Sequence, residues 1–142
     1  MDIDRRDFNV IIKAIQKDDS RYSSGAYYFL REALDYTIKD SVNSDTDSKI
    51  SKHITGQELL EGIKHYALER YGPMAFDLFK SWGVINCKDF GNIVFNLVDC
   101  QVLGKNERDS PKDFEKGYNF KNAFQDPFLP ENDFRLKKPR LY

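Results

Sequence analysis

Glu61, His65 and Glu69 are the residues whose types and spacing come closest to a chemical site. They follow one another at intervals of four along a predicted helix, so all three share one face. Two carboxylates and an imidazole arranged in this way could bind a metal ion or act as acid and base. That face lies opposite the apolar stripe, however, and Lys64 and Arg70 can neutralise the carboxylates. We therefore expect a solvent-exposed face with no catalytic residue, no metal and no cofactor.

Other sequence patterns of enzymes and metal sites do not occur in the chain. There is no GxSxG, GxGxxG, HExxH or P-loop motif. Cys87 and Cys100 are separated by thirteen positions and lack a CxxC pair or histidine-rich surroundings. This spacing favours two reduced, largely buried thiols over structural zinc or a redox pair. The sequence therefore predicts a protein that is not an enzyme.

The overall charge of the chain is close to zero. Its 142 residues include 22 Lys and Arg against 23 Asp and Glu, a net charge of −1, which generates no general field for nucleic acid or a membrane surface. A hydrophobic content of 40% is enough for the core of one domain. The N-terminus is charged and no apolar run approaches about 20 residues, so we expect a cytoplasmic protein without a membrane partner.

The C-terminal segment, residues 127–142, contains a cationic cluster. Its candidate binding residues are Arg135, Lys137, Lys138 and Arg140, and between residues 132 and 142 the single acid is Asp133. Phe134, Leu136 and Tyr142 are interleaved with them, a composition that could bind RNA or an acidic protein surface. The simpler interpretation is an extended, solvated tail.

Apolar residues at helical spacing predict a mainly α fold over the rest of the chain. Residues 1–39 are expected to form two helices, the second over residues 25–39, that pack on the body of the protein. Residues 40–53 are rich in serine and aspartate and are predicted to be a flexible loop. The body itself covers residues 54–126.

Three helices in the body have the order of a winged helix. Thr55 and Glu58 form a capping-box pattern that begins the first of them. The predicted bounds are residues 56–71, 74–82 and 90–99 for the helices, and residues 105–116 for a wing-like loop. At most a short β-hairpin is expected beside this loop.

The surface chemistry of the winged-helix-like body does not favour nucleic acid. Residues 88–99 contain one lysine against two aspartates, and the wing-like loop has four cations against four acids. Asn92 and Asn96 are the polar side chains of the third helix that could contact base edges. With so few cations for phosphates, we expect such a body to bind protein instead.

The segment RYGPMAFDLFKSWGV, residues 70–84, predicts a short helix that is apolar around almost its whole circumference. Gly72 ends the preceding helix, Pro73 begins this one and Gly83 ends it. We therefore expect it to be the most buried helix of the fold. Trp82 is the exception, because tryptophan is seldom fully buried and is common at contact sites, which makes it a candidate binding residue.

Five segments occur in a specific order along the chain. They are YYFLREALDYT, TGQELLEGIKHYALERYGPMAFDLFKSWGV, DFGNIVFNLVD, LGK and DFEKGYNF. Together, over about residues 22–130, they resemble an uncharacterised family of small proteins from the Planctomycetes and Verrucomicrobia. The resemblance implies a bacterial, intracellular, single-domain protein and brings no activity, cofactor or catalytic residue. Residues 40–53 and the tail after residue 130 depart from the family pattern.

These observations favour a non-enzymatic protein-interaction or regulatory module. We expect a protein partner and either a monomer or a homodimer. The alternative is a winged-helix-like protein that associates with RNA or DNA through the wing-like loop and the basic tail.

Overall fold

Five α-helices make up most of the computed structural model, which describes residues 8–44, 54–103 and 111–129. The helices are α1 Phe8–Asp18, α2 Ser24–Ser44, α3 Gly56–Tyr71, α4 Ala75–Ser81 and α5 Cys87–Asp99. Shorter elements are the 3-10 turns Gly72–Met74, Pro111–Phe114 and Asp126–Phe128, and the π-helical turn Lys121–Gln125. The described ranges contain no strand. The prediction of a mainly α fold is confirmed.

Side-chain caps explain where two of the helices begin. At α3, the Glu58 N–H donates to Thr55 Oγ1 (3.0 Å) and the Thr55 N–H donates to Glu58 Oε1 (2.9 Å), as the capping-box pattern predicts. At α5, Asn86 and Asp89 form a second capping box that the sequence analysis did not identify. Gly72 ends α3 at the predicted position, with a φ of 55° that favours glycine.

The second helix packs chiefly on α3 and also contacts α5. At Thr37 it packs so closely on α3 that a β-carbon on Gly62 would overlap the threonine hydroxyl. That hydroxyl donates to the carbonyl of Ala33 at 2.7 Å, so no polar atom of Thr37 is left unbonded in the crossing. Small side chains on both helices therefore allow the two backbones to pack closely.

Phe79 of α4 lies at the centre of an aromatic core. Its side chain is 0% exposed. Its ring centroid is 5.0–5.9 Å from the ring centroids of Phe29, Phe90, Phe120 and Phe124. Because these rings come from α2, α5 and the C-terminal turns, one residue of α4 joins most of the fold.

The prediction that this short helix is the most buried one is wrong. Within Ala75–Ser81 only Ala75 and Phe79 are buried, and Met74, just before the helix, is 67% exposed. A helix of two turns presents one narrow face to the core, so apolar residues elsewhere on its circumference remain near solvent.

The structure differs from two further predictions, the loop over residues 40–53 and the short β-hairpin. Helix α2 ends at Ser44 rather than at residue 39, so the predicted loop begins later; its residues 45–53 lie outside the described residues. The β-hairpin was expected around residues 101–105 and 117–120. Residues 101–103 form a turn and residues 117–119 are irregular.

Candidate functional site

The predicted trio on α3 lies on the protein surface. Glu61, His65 and Glu69 are all exposed, as expected. A Glu61 carboxylate oxygen is 3.4 Å from Lys64 Nζ and 3.8 Å from His65 Nε2. Within the part of the chain that the structure describes, no group of three or more His, Cys, Asp and Glu side chains could hold a metal ion.

The two cysteines have different surroundings. Cys87 is buried, burial raises the pKa of its thiol to about 11, and its Sγ donates to the Tyr118 carbonyl at 3.4 Å. Cys100 is exposed, because it follows the last turn of α5 and caps the end of that helix. The expectation of two buried thiols therefore holds for Cys87 and is wrong for Cys100.

Two turns of the chain pack directly against each other, residues 19–23 between α1 and α2 and residues 82–86 between α4 and α5. The Ser23 N–H donates to the Trp82 carbonyl at 3.1 Å. Gly83 has a φ of 91°, and a β-carbon at this position would overlap the Arg21 carbonyl oxygen. Only glycine meets both conditions. We call this pair of turns the double corner.

Tyr22 anchors the double corner to the start of α5. Its side chain is buried, and its hydroxyl donates to Asp89 Oδ1 at 2.6 Å and accepts from Asn92 Nδ2 at 2.9 Å. The other Asp89 oxygen accepts from the N–H groups of Ile85 (2.9 Å) and Asn86 (3.2 Å). Burial raises the pKa of Tyr22 to about 12, and the hydrogen bond to Asp89 is the second largest cause. The hydroxyl therefore stays protonated and keeps donating at neutral pH.

Asp19 makes a second connection between the double corner and α5. Arg21 binds it through two atoms, Nε at 2.8 Å and Nη2 at 2.7 Å, and Asn96 Nδ2 donates to it at 3.0 Å. The same amide donates to Tyr27 Oη at 3.1 Å. The hydrogen bonds from Arg21 hold the pKa of the Asp19 carboxyl well below its usual range. The Asp19 carboxylate therefore stays ionised at neutral pH.

These contacts occupy Asn92 and Asn96, the two polar side chains of the third predicted helix that could contact base edges. Asn92 donates to Tyr22, and Asn96 donates to Asp19 and Tyr27. Both amides thus hold the fold together. In all three bonds the partner lies at least 69 positions away in the sequence, so no local signal identifies this role.

Trp82 stands at the edge of the double corner, half-buried. Its indole ring is 5.9 Å from the rings of Phe29 and Phe79 and 6.2 Å from that of Tyr71, and it lies against Gly25. The indole N–H donates to none of the described residues. The ring thus packs partly on the core and on Gly25 of α2, and the rest of it is exposed to solvent.

Ile85 is the most exposed apolar side chain of the double corner, at 64%. The surrounding segment KSWGVINCK, residues 80–88, contains two lysines and no acid. Both Lys80 and Lys88 are exposed, and neither forms an ion pair with a described residue. Ile85 is not among the predicted site residues, although an acid-free segment with apolar residues between two lysines is visible in the sequence.

No model of a known protein family, no curated protein and no solved structure matches this chain. The resemblance to the bacterial family therefore stays a prediction, and the function has to be inferred from the side chains and their contacts. None of the helices that the structure describes is both long and apolar enough to cross a membrane.

The predicted site residues fall into two groups. Trp82 lies in the double corner, three positions before Ile85, and its carbonyl accepts a hydrogen bond from the Ser23 N–H. The tail cations Arg135, Lys137, Lys138 and Arg140 lie outside the described residues. A contribution of the tail to binding stays a prediction.

Proposed function

We propose that this protein is a non-enzymatic protein-interaction or regulatory module whose contact surface is the double corner. The observation that carries the proposal is that one turn, residues 82–86, presents a half-buried Trp82 and an exposed Ile85 while it is hydrogen-bonded to the turn of residues 19–23. Tryptophan and arginine contribute disproportionately to interface energies, and Arg21 lies in the same double corner.

The rigidity of this surface supports an interaction role. Two hydrogen bonds fix residues 82–86: the Ser23 N–H donates to the Trp82 carbonyl, and the Ile85 N–H donates to Asp89. Gly83 adopts the positive φ that the turn requires. A surface that is already ordered loses little conformational entropy when a partner binds. The same network explains how the turn of residues 82–86 keeps Ile85 exposed to solvent.

The described polar side chains favour this role over an enzymatic one. Asp89, Asn92 and Asn96 bond within the fold, and the Tyr118 hydroxyl donates to the Leu60 carbonyl at 2.6 Å. A catalytic site needs such groups to converge on a space that a substrate can enter. In this protein these side chains form hydrogen bonds within the fold instead.

A winged-helix-like arrangement of α3, α4 and α5, and nucleic-acid binding through the wing-like loop and the tail, stay the alternative. The internal bonds of Asn92 and Asn96 favour the protein-interaction role over base contacts by α5. The alternative predicts RNA or DNA binding that weakens steeply with salt and is lost when the chain is truncated after Pro130. Binding that resists both changes would exclude it.

Affinity capture with surface-matched variants tests the proposed function. Ile85→Ser and Val10→Ser remove apolar side chains of equal exposure, 64% and 66%, from different parts of the surface. We expect one protein from native lysate to be retained by the wild type and by Val10→Ser, and to be lost by Ile85→Ser. The proposal fails if no partner shows this pattern. If the retained protein is a second copy of the chain, sedimentation will show a dimer that Ile85→Ser dissociates.

A further inference from the structure

We propose that residues 111–117 form a strap that opens while the rest of the protein stays folded, and that its opening uncovers the thiol of Cys87. Segments that open locally have few buried apolar contacts and few backbone hydrogen bonds to their surroundings. The strap has both properties, and it lies over a buried thiol that can report the opening.

A single side chain within residues 112–117 is buried, that of Phe114, and the others are exposed or half-buried. The Phe114 ring lies in a slot between Gly56 of α3 and Gly91 of α5. A β-carbon on Gly56 would lie 3.2 Å from Phe114 Cε2, and one on Gly91 would lie 2.8 Å from Phe114 Cβ. Phe95 meets the ring edge-on, with 6.3 Å between the centroids. The apolar contacts of the strap therefore depend chiefly on one ring.

An exposed side chain of α3 also holds the strap. Gln57 Nε2 donates to the Asp113 carbonyl at 2.6 Å and is 3.4 Å from the Lys116 carbonyl. Among the described residues, no backbone–backbone hydrogen bond joins residues 111–117 to another helix or turn. Hydrogen bonds from an exposed amide compete with those of water, so they add only modestly to the stability of the closed strap.

Tyr118, which follows the strap, is held more firmly. Its hydroxyl donates to the Leu60 carbonyl at 2.6 Å, and its ring centroid is 5.7 Å from that of Phe124. Phe120 and Phe124 are buried in the aromatic core, so the chain after the strap is anchored at several points. Gly117 lies between the weakly held and the firmly held parts, and it is the hinge of the strap.

Cys87 lies beneath this hinge. Its side chain is buried, its Sγ donates to the Tyr118 carbonyl at 3.4 Å, and a β-carbon on Gly117 would overlap the sulfur. Movement of Gly117 away from α5 therefore removes the cover of the thiol. The same movement empties the slot between Gly56 and Gly91. A ligand that contacts only the open state would shift the population toward it.

Thiol labelling measures the opening. The variant Cys100→Ser removes the exposed thiol and leaves Cys87 as the single cysteine, so Ellman's reagent follows Cys87 alone. We expect Cys87 to react well below the urea midpoint, at a rate that hardly depends on urea, because local opening exposes little surface. A rate that rises with urea as steeply as global unfolding would overturn the proposal. A rate equal to that of the unfolded chain would overturn it too, because the strap would then not cover the thiol.

Matched variants in this background locate the opening segment. Phe114→Ala should raise the labelling rate about tenfold or more, and Gln57→Ala about threefold, because each weakens the closed strap. If Phe114→Ala does not fold, Phe114→Leu and Gln57→Ala give the same test with smaller increases. Ile12→Val, in the buried face of α1, weakens the whole fold, and Glu69→Ala changes an exposed residue of α3. Both controls should leave the labelling rate unchanged. An increase for Ile12→Val as large as that for Phe114→Leu would show that only global unfolding exposes Cys87, and the strap would not open by itself.

Discussion

Phe79 and Trp82 lie three positions apart in the chain, yet they belong to regions that are held together differently. Phe79 is fully buried, and its ring contacts Phe29 at 5.0 Å and Phe124 at 5.1 Å. Trp82 is half-buried and leads into the double corner, where hydrogen bonds and one glycine fix the backbone. Burial stabilises the first region and directional bonds the second. The second region can therefore expose apolar side chains without loosening.

The largest effect on stability should follow from removing the centre of the aromatic core. Phe79→Ala leaves a cavity among four rings and should lower the free energy of unfolding by about 3–5 kcal/mol. Urea denaturation followed by circular dichroism measures this loss. A loss below about 1 kcal/mol would mean that the core reorganises and that Phe79 does not organise it.

A substitution at Gly83 should have the next largest effect, because it strains the double corner directly. Gly83→Ala combines a φ of 91° with overlap of the Arg21 carbonyl oxygen, and should lower the free energy of unfolding by about 2–3 kcal/mol. Gly72→Ala is the matched control, since Gly72 has a φ of 55° and no neighbouring atom within 4 Å of an added β-carbon. A clearly smaller loss is expected for Gly72→Ala. Equal losses would show that backbone strain alone, and not the contact between the turns, fixes the double corner.

Local signals made much of the aromatic core and its helices predictable. Helix α3 begins and ends at the predicted residues, because Thr55, Glu58 and Gly72 act within one turn of its ends. The capping box of Asn86 and Asp89 uses the same local chemistry and could have been found from their spacing. Such features depend on neighbours a few positions away, which the sequence shows directly.

The double corner was much less predictable, because its contacts join distant parts of the chain. Tyr22 meets Asp89 across 67 positions and Asn92 across 70. From the sequence, Asn92 is a polar side chain that could contact base edges, and only the packing of residues 19–23 on α5 shows that its partner is Tyr22. Apolar composition likewise indicated that α4 belongs to the core, but not that neighbouring elements cover only one of its faces.

A change at Asp19 should have an intermediate effect and should depend on pH. Asp19→Ala removes the bonds to Arg21 and Asn96 and should lower the free energy of unfolding by about 1–2 kcal/mol at pH 7. The pKa of Asp19 is depressed in the folded state, whereas aspartate in an unfolded chain titrates near about 3.9. Its contribution is therefore complete above about pH 4 and is lost as the pH falls through the folded-state pKa.

Unfolding curves of the wild type and of Asp19→Ala at several pH values test this linkage. The difference between the two proteins should be constant from about pH 5 to pH 8 and should shrink below about pH 4. Asp18→Ala, which changes an exposed neighbour, should not show the loss at pH 7. A difference that grows on acidification would show that Asp19 is not stabilised as a carboxylate.

The smallest effect on stability should come from the most exposed side chain of the double corner. Ile85→Ser removes a residue that is 64% exposed and leaves its backbone N–H bonded to Asp89, so the free energy of unfolding should change by less than about 0.5 kcal/mol. Val10→Ser, at 66% exposure, should behave alike in urea denaturation. If Ile85→Ser instead costs as much as Asp19→Ala, Ile85 is part of the packing that holds the two turns together. Ile85 would then stabilise the fold, and the distinction between a core that stabilises the protein and a double corner that binds a partner would be wrong.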